Sequence, residues 1–216
     1  MRTELLFATP VWIEDKCGVD FDKLKEFAYF VKSEDPKGRQ VSNEGGWQSW
    51  DFIDDVMKDN ALSELRDKIY EIAGRACDEW GFKHYSLKIT NSWININGRG
   101  AMNRLHTHPG CILSGVYYVD VPKCCSGPFT IVRDFKDQQL KEHWGNANNF
   151  ESWEGMNMNE YDIYPVADNM VLFPSWAMHA VGKSSSDEDR ISISFNIIAH
   201  SDHYHEIYPT RQHNRE

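Results

Sequence analysis

The apolar periodicity of the chain changes once, at Gly81, and that change limits the folds open to it. Before it, Leu62, Leu65, Ile69, Ile72, Ala76 and Trp80 recur in steps of three and four. That spacing predicts an amphipathic helix, capped by Asn60 and stopped by Gly81. A shorter helix is expected earlier, capped by Asp20 or Asp22, with Leu24, Phe27 and Val31 on one face and a stop at Glu34 to Gly38. From Tyr85 onward the period is two. Leu87 and Ile89 alternate with polar residues, and Trp93-Ile94-Asn95-Ile96-Asn97 follows. Further strands are expected at Ile112–Val121, Phe129–Val132, Tyr161–Val166, Met170–Phe173, Ala177–Val181 and Arg190–Ala199. Two helices followed by seven or eight strands exclude an alternating βαβ plan. The order predicts a mainly β chain with flanking helices, its sheets packed as a jelly roll. The 216 residues fit one sizeable domain, with helical support over about 1–84 and a β core over about 85–200.

The remaining segments carry narrower expectations. Leu5 to Ile13 contains Pro10, which confines it to an edge strand or a strand start. Ser42 to Trp50 sets Gly45 and Gly46 beside Trp47 and Trp50, and reads as a loop anchored on the core or facing a substrate. Asp134 to Asn159 is polar and reads as a long insertion; the tail from Ser201 reads as surface. A net charge of −10 disfavours a phosphate-backbone partner, so nucleic acid is not expected. The five cysteines are odd in number, Cys124 and Cys125 are adjacent, and no CxxC occurs. Reduced thiols and a cytoplasmic location are expected. The first residues lack the apolar run of a signal peptide, and no stretch is long enough to span a membrane.

Three of the nine histidines stand out. Residues i and i+2 of a strand share a side, so His106 and His108 of Leu105-His106-Thr107-His108-Pro109-Gly110 would project together. His179 follows an apolar strand and the Phe173-Pro174-Ser175-Trp176 turn, and could supply a third ligand from a strand across the barrel. Three ligands on one face leave positions open for a cosubstrate and O₂. Histidines that bind nothing remain the alternative. His84, His143 and His200 read as surface residues, and His203-Tyr204-His205 as an adventitious site. Arg190 and Ser192 share one side of the last strand. A guanidinium in such a strand needs a partner: an internal carboxylate, or the distal carboxylate of a bound dianion.

Taken together, the runs HTHPG-CILSGVYYV, VLFPSWAMHAV and RISISFN resemble the iron(II)/2-oxoglutarate-dependent oxygenases, over roughly Trp93 to Ile198. They are similar to a bacterial and phage subgroup with the pattern HxHP…SGVYYV…FPSWxxH…RISISFN. The resemblance implies a double-stranded β-helix, with Fe(II) and 2-oxoglutarate as cofactors. It places the metal on His106, His108 and His179 and the distal carboxylate of 2-oxoglutarate on Arg190 and Ser192. Nucleic-acid demethylase relatives carry an N-x-Y pair eleven and nine residues before the first histidine. Those offsets fall on Asn95 and Asn97, so Asn95 is a candidate cosubstrate contact and Asn97 departs from the pattern. Tyr117 is a further candidate, and Asn196 ends the same Arg190 motif. His108 stands where the superfamily has a carboxylate.

The implied activity is a dioxygenase that hydroxylates a peptide or small-molecule substrate with release of succinate and CO₂. Trp47, Trp50 and Trp176 are the candidate substrate-side residues. A halogenase-like register would read His108-Pro109-Gly110 as the motif, without a third protein ligand, and leave His106 outside the metal sphere. A cupin-type metal dioxygenase would have no need of Arg190. A β-sandwich binding module without catalysis is the third alternative. Open sheet edges would allow a homodimer.

Overall fold

The computed structural model describes residues 2, 7–82, 85–133 and 158–201. The readings made for His84, His143, the tail beyond residue 201 and most of the Asp134–Asn159 insertion lie outside these residues, as does the side chain of His200. In chain order the elements are β1 (Trp12–Glu14), α1 (Phe21–Glu34), β2 (Asn43–Glu44), β3 (Trp47–Gln48), α2 (Asp54–Lys58), α3 (Ser63–Glu79), β4 (Tyr85–Asn97) and β5 (Met102–His106). They continue with β6 (Leu113–Asp120), β7 (Phe129–Val132), β8 (Glu160–Ile163), β9 (Met170–Pro174), β10 (Met178–Val181) and β11 (Arg190–Ser201).

The strands form two sheets, ordered β1-β9-β6-β11-β4-β3 and β2-β5-β10-β7-β8. Each described pairing is antiparallel. This is the expected jelly roll, a double-stranded β-helix. β4 is one long strand rather than two, bulged where Asn196 and Ile197 of β11 pass it. The support region is less purely helical than its periodicity predicts. Three short strands within it join the sheets, and β2 and β3 go to different ones. The link between them is Gly45-Gly46. Gly45 holds φ +69°, and a Cβ on Gly46 would stand 2.0 Å from Asn97 Oδ1. Of the expected strand over Leu5–Ile13, Leu5 and Leu6 lie outside the described residues; among the described ones it forms only after Pro10, as edge strand β1.

The helices obey their sequence signals. Asp20 Oδ1 accepts from Lys23 N at 3.1 Å and caps α1. The exception is the start of α3: Leu62, not the expected Asn60, is its N-cap, and no side chain caps it, while Asn60 Oδ1 accepts from Leu62 N at 2.8 Å in the preceding turn. Gly81, at φ +84°, ends α3, and Phe82 N donates back to Cys77 O. The buried face of α3 is Leu65, Ile69, Ile72, Ala73, Ala76 and Cys77. It packs on the larger sheet with Ile94 and Ile96 of β4, Tyr117 of β6 and Ile191, Ile193 and Phe195 of β11.

Strand alternation then decides what the other face of that sheet carries. On β11 it turns Arg190, Ser192, Ser194 and Asn196 toward the smaller sheet; on β4 it turns Trp93, Asn95 and Asn97 the same way. Part of the space between the sheets is apolar, filled by Val116, Tyr118, Phe129, Val171 and Phe173. The rest is polar and buried, which is costly without partners. The core is tight behind it. A Cβ on Gly115 would stand 2.4 Å from Phe195 Cζ. Gly115→Ala is therefore expected to destabilise the protein by about 1–3 kcal/mol, the usual cost of overpacking, as a lower urea midpoint with an unchanged slope.

Candidate metal centre

His106 closes β5 directly opposite His179 of β10 in the register. The third ring comes from two residues beyond the strand. His108 N donates to Ser175 O at 2.9 Å, which pins it beside the turn between β9 and β10. His179 thus comes from the strand paired with β5, in the same sheet. Ring centroids are 4.2 Å apart for His106 and His179, 4.9 Å for His106 and His108, and 5.0 Å for His108 and His179. One ligand nitrogen from each lies within 4.8 Å of the other two.

Two rings are held in a defined tautomer. His106 Nδ1 lies 2.6 Å from Arg104 O and His179 Nδ1 lies 2.9 Å from Ala177 O. A carbonyl only accepts, so each Nδ1 carries the proton and each Nε2 keeps its lone pair. Burial holds all three rings in the neutral form. It pushes His108 down to about 4 and His179 down to about 3, with His106 adding repulsion, and it lowers His106 against the pull of the Arg104 carbonyl. Neutral, converging imidazoles are what a metal ion requires. The depressed values also set a pH dependence. The unfolded chain binds these protons near the ordinary value of 6.5 and the folded chain does not. Metal-free protein is expected to lose stability as pH falls through about 6.5 toward 3, recorded as a falling melting temperature that bound metal opposes.

Arg190 is 2 % exposed, and burial lowers its pKa. Its Nη1 donates to Ser126 O at 2.7 Å and Gly127 O at 3.2 Å. Among the described residues no carboxylate pairs with it, and its buried Nε has no partner. In the register Arg190 faces Asn97 and Ser192 faces Asn95. Asn95 Nδ2 donates to Ser194 Oγ at 3.2 Å, whereas Asn95 Oδ1 and Asn97 Oδ1 have no partner among the described residues. The three histidines, Arg190, Ser192, Asn95 and Asn97 all line one cavity of about 510 Å³, counting its open mouth.

Some candidates fall elsewhere. Tyr117 points to the helix side of β6, where its hydroxyl donates to Asp168 Oδ1 at 2.9 Å. Its neighbour Tyr118 lines the cavity instead, close enough to Arg190 for the cation to oppose the burial that pushes the phenol up to about 12. Asn196 is on the polar face but outside the cavity lining. It accepts from Ser114 Oγ at 2.7 Å and donates to Asn91 Oδ1 at 3.0 Å. Trp47 pairs with Ile96, so it packs under the helices and donates to Asp35 O at 2.9 Å. It is a core anchor, not a substrate-side residue. Trp50 and Trp176 are 65 % and 57 % exposed. Trp93, Ser42 and Asn103 also line the cavity. Trp93 stands 5.7 Å from the His108 ring, and its alternation with Asn95 and Asn97 was the available signal.

Residues 91–196 match the family model described as "Putative 2OG-Fe(II) oxygenase". Over that stretch, just under half of its length, the chain is similar to the 2OG-Fe(II) oxygenases. The matched region spans β4 to β11 and contains all three histidines and Arg190. No curated protein sequence matches the chain. Solved oxygenase structures share its fold at low identity. A Trichoplax adhaerens prolyl hydroxylase, in complex with a hypoxia-inducible-factor peptide fragment, superposes with a TM-score of 0.60 at 15 % identity, over 87 % of this chain and 83 % of that one. The α-ketoglutarate-dependent epimerase SnoN of nogalamycin biosynthesis gives 0.57 at 15 %, over 88 % and 80 %. HygX of Streptomyces hygroscopicus, with nickel and 2-oxoglutarate bound, gives 0.55 at 10 %, over 88 % and 82 %. These likenesses are likenesses of fold. No helix among the described residues is long and apolar enough to cross a membrane.

Proposed function

We propose that this chain is an Fe(II)- and 2-oxoglutarate-dependent dioxygenase acting on a peptide or small-molecule substrate. The observation that carries the proposal is a coincidence in one cavity. Three neutral imidazoles converge, and a buried guanidinium without a carboxylate partner among the described residues opens into the same space. The fit to the cofactors is chemical. His106, His108 and His179 would hold the metal. Arg190 would take the distal carboxylate of 2-oxoglutarate, with Ser192 and the Tyr118 hydroxyl beside it and Asn95 as a further contact. The idle Arg190 Nε and the idle amide oxygens of Asn95 and Asn97 are the polar atoms a dianionic ligand, with its ordered water, would satisfy.

When bound, iron and 2-oxoglutarate supply the activation of O₂, with succinate and CO₂ released and a substrate C–H bond hydroxylated. The protein's share is positioning and exclusion of water. The Arg104 and Ala177 carbonyls orient two rings. Phe129 and Phe173, with ring centroids 5.4 and 4.6 Å from the His179 ring, keep the inner side of the cluster dry. Histidine at position 108 contributes no negative charge, so a metal held here would keep its full positive charge for an anionic cosubstrate. The His108-Pro109-Gly110 register is less well supported. His106 stands opposite His179 inside the cluster, while nothing lies within 4 Å of a Cβ built on Gly110. Of the candidate substrate-side residues, Trp50 and Trp176 are exposed, though neither lines the cavity. Because SnoN shares the fold, hydroxylation is proposed rather than read from it. The test is turnover of 2-oxoglutarate in air without added substrate. Slow, iron-dependent release of succinate is expected; none from metal-loaded protein would contradict the reading.

A further inference from the structure

The loop that holds Arg190 also carries the two adjacent cysteines. Both are exposed and free. Cys125 is held at φ +68°, a left-handed conformation uncommon for a residue with a side chain. Its carbonyl accepts from Ser185 N at 2.8 Å and Ser184 Oγ at 3.5 Å. The next two carbonyls, of Ser126 and Gly127, are the acceptors of Arg190 Nη1. Gly127 is seated so closely on Gly182 that a Cβ would stand 2.2 Å from the Gly182 carbonyl oxygen. A rearrangement at Cys124-Cys125 therefore cannot be absorbed by sliding the loop. It passes to the two carbonyls that hold the guanidinium.

We propose that Cys124 and Cys125 form a vicinal dithiol oxidised by hydrogen peroxide to a disulfide, and that the oxidised loop loosens the grip on Arg190. The second half rests on the oxygenase reading; the first does not. The surroundings set the roles. The neighbouring Cys125, and after it burial and Glu188, raises the pKa of the Cys124 thiol, so Cys125 is assigned the attack. Cys125 as thiolate attacks one peroxide oxygen; the O–O bond breaks, leaving a sulfenic acid and, after protonation, water. Cys124 Sγ then attacks the sulfenyl sulfur, the S–S bond forms, and hydroxide leaves and takes up the Cys124 proton as a second water. Two thiols and one peroxide become one disulfide and two waters. A disulfide between neighbouring residues is strained and exposed, which makes it easily reduced, as a reversible modification requires. Cys17 and Cys77 compete poorly, because both are buried and burial pushes them up to about 12 and about 11; Cys111 is half-buried and has no cysteine beside it in the sequence.

Trypsin places the site in one peptide, Cys124 to Arg133, between Lys123 and Arg133. After treatment of the full-length reduced protein with one equivalent of hydrogen peroxide, that peptide is expected to be two hydrogens lighter, closed to iodoacetamide and restored by dithiothreitol. Binding of 2-oxoglutarate to the oxidised protein, measured without oxygen, is expected to weaken by about tenfold and to recover on reduction, as misalignment of a charge-assisted pair would produce. The double variant Cys124→Ser/Cys125→Ser is expected to keep its affinity through the same treatment. Separately oxidised or separately blocked thiols in the peptide would overturn the dithiol site. A disulfide with unchanged 2-oxoglutarate affinity would overturn its link to Arg190. If the reduced protein binds no 2-oxoglutarate at all, the oxygenase reading and the link both fall, and the peptide mass alone decides the dithiol site.

Discussion

Arg190→Met is expected to leave the cofactor-free protein as stable as before, or more so, while abolishing tight binding of 2-oxoglutarate. The guanidinium is buried against two backbone carbonyls, with no carboxylate beside it among the described residues. Its desolvation is therefore poorly compensated until a ligand arrives. Methionine removes that cost and fills much of the same volume. Binding should suffer in proportion. Truncating one partner of a buried charged pair costs about 2–5 kcal/mol, or roughly thirtyfold to several thousandfold in affinity. Thermal unfolding with and without 2-oxoglutarate and a redox-inert divalent metal reads both effects, since a ligand that binds only the folded state raises its melting temperature. A purely structural Arg190 predicts the opposite pattern: a lower melting temperature without ligand, and an unchanged ligand-induced rise.

The second large effect is on the metal. His106→Ala and His179→Ala are each expected to reduce metal binding below detection, because each removes one of three converging nitrogens. His108→Asp is expected to retain the metal, since a carboxylate is the usual third member of a facial site. Cobalt(II), whose visible absorption reports its coordination, is the convenient probe. Retained binding in His106→Ala would favour the His108-Pro109-Gly110 register. Retained binding in all three variants would mean that the rings serve packing alone.

Much of this site was legible before any coordinates, and the reason is strand alternation. Arg190-Ile191-Ser192-Ile193-Ser194 states its two faces plainly, one for the helices and one for the cavity. The histidine triad was legible because its members needed only one geometric relation, and His179 stands opposite His106 in the register. The direction of the tyrosine could not be read for a related reason. Tyr117 and Tyr118 are adjacent, so one points each way, and either could have faced the cavity. Only the packing of Leu113, Tyr117 and Val119 under the helices decides it. Trp47 was ambiguous because a strand of two residues has no alternation to read; its partner Ile96 sets its direction. Ser42 and Asn103 carried no signal. They come from separate elements, and Asn103 Nδ2 reaches Ser42 Oγ at 3.2 Å only because β2 crosses to the smaller sheet. The carbonyls of Ser126 and Gly127 were invisible for the same reason: backbone partners leave no mark on side-chain pattern.

On the proposed function, a metal on three histidines and a dicarboxylate on Arg190 share one cavity. Anaerobic titration of Fe(II) and 2-oxoglutarate into the protein tests it most directly. The expected result is a visible charge-transfer absorption that saturates at one equivalent of each, is lost in His179→Ala and requires far more 2-oxoglutarate in Arg190→Met. Saturable iron binding with no such absorption at any concentration of 2-oxoglutarate would contradict it.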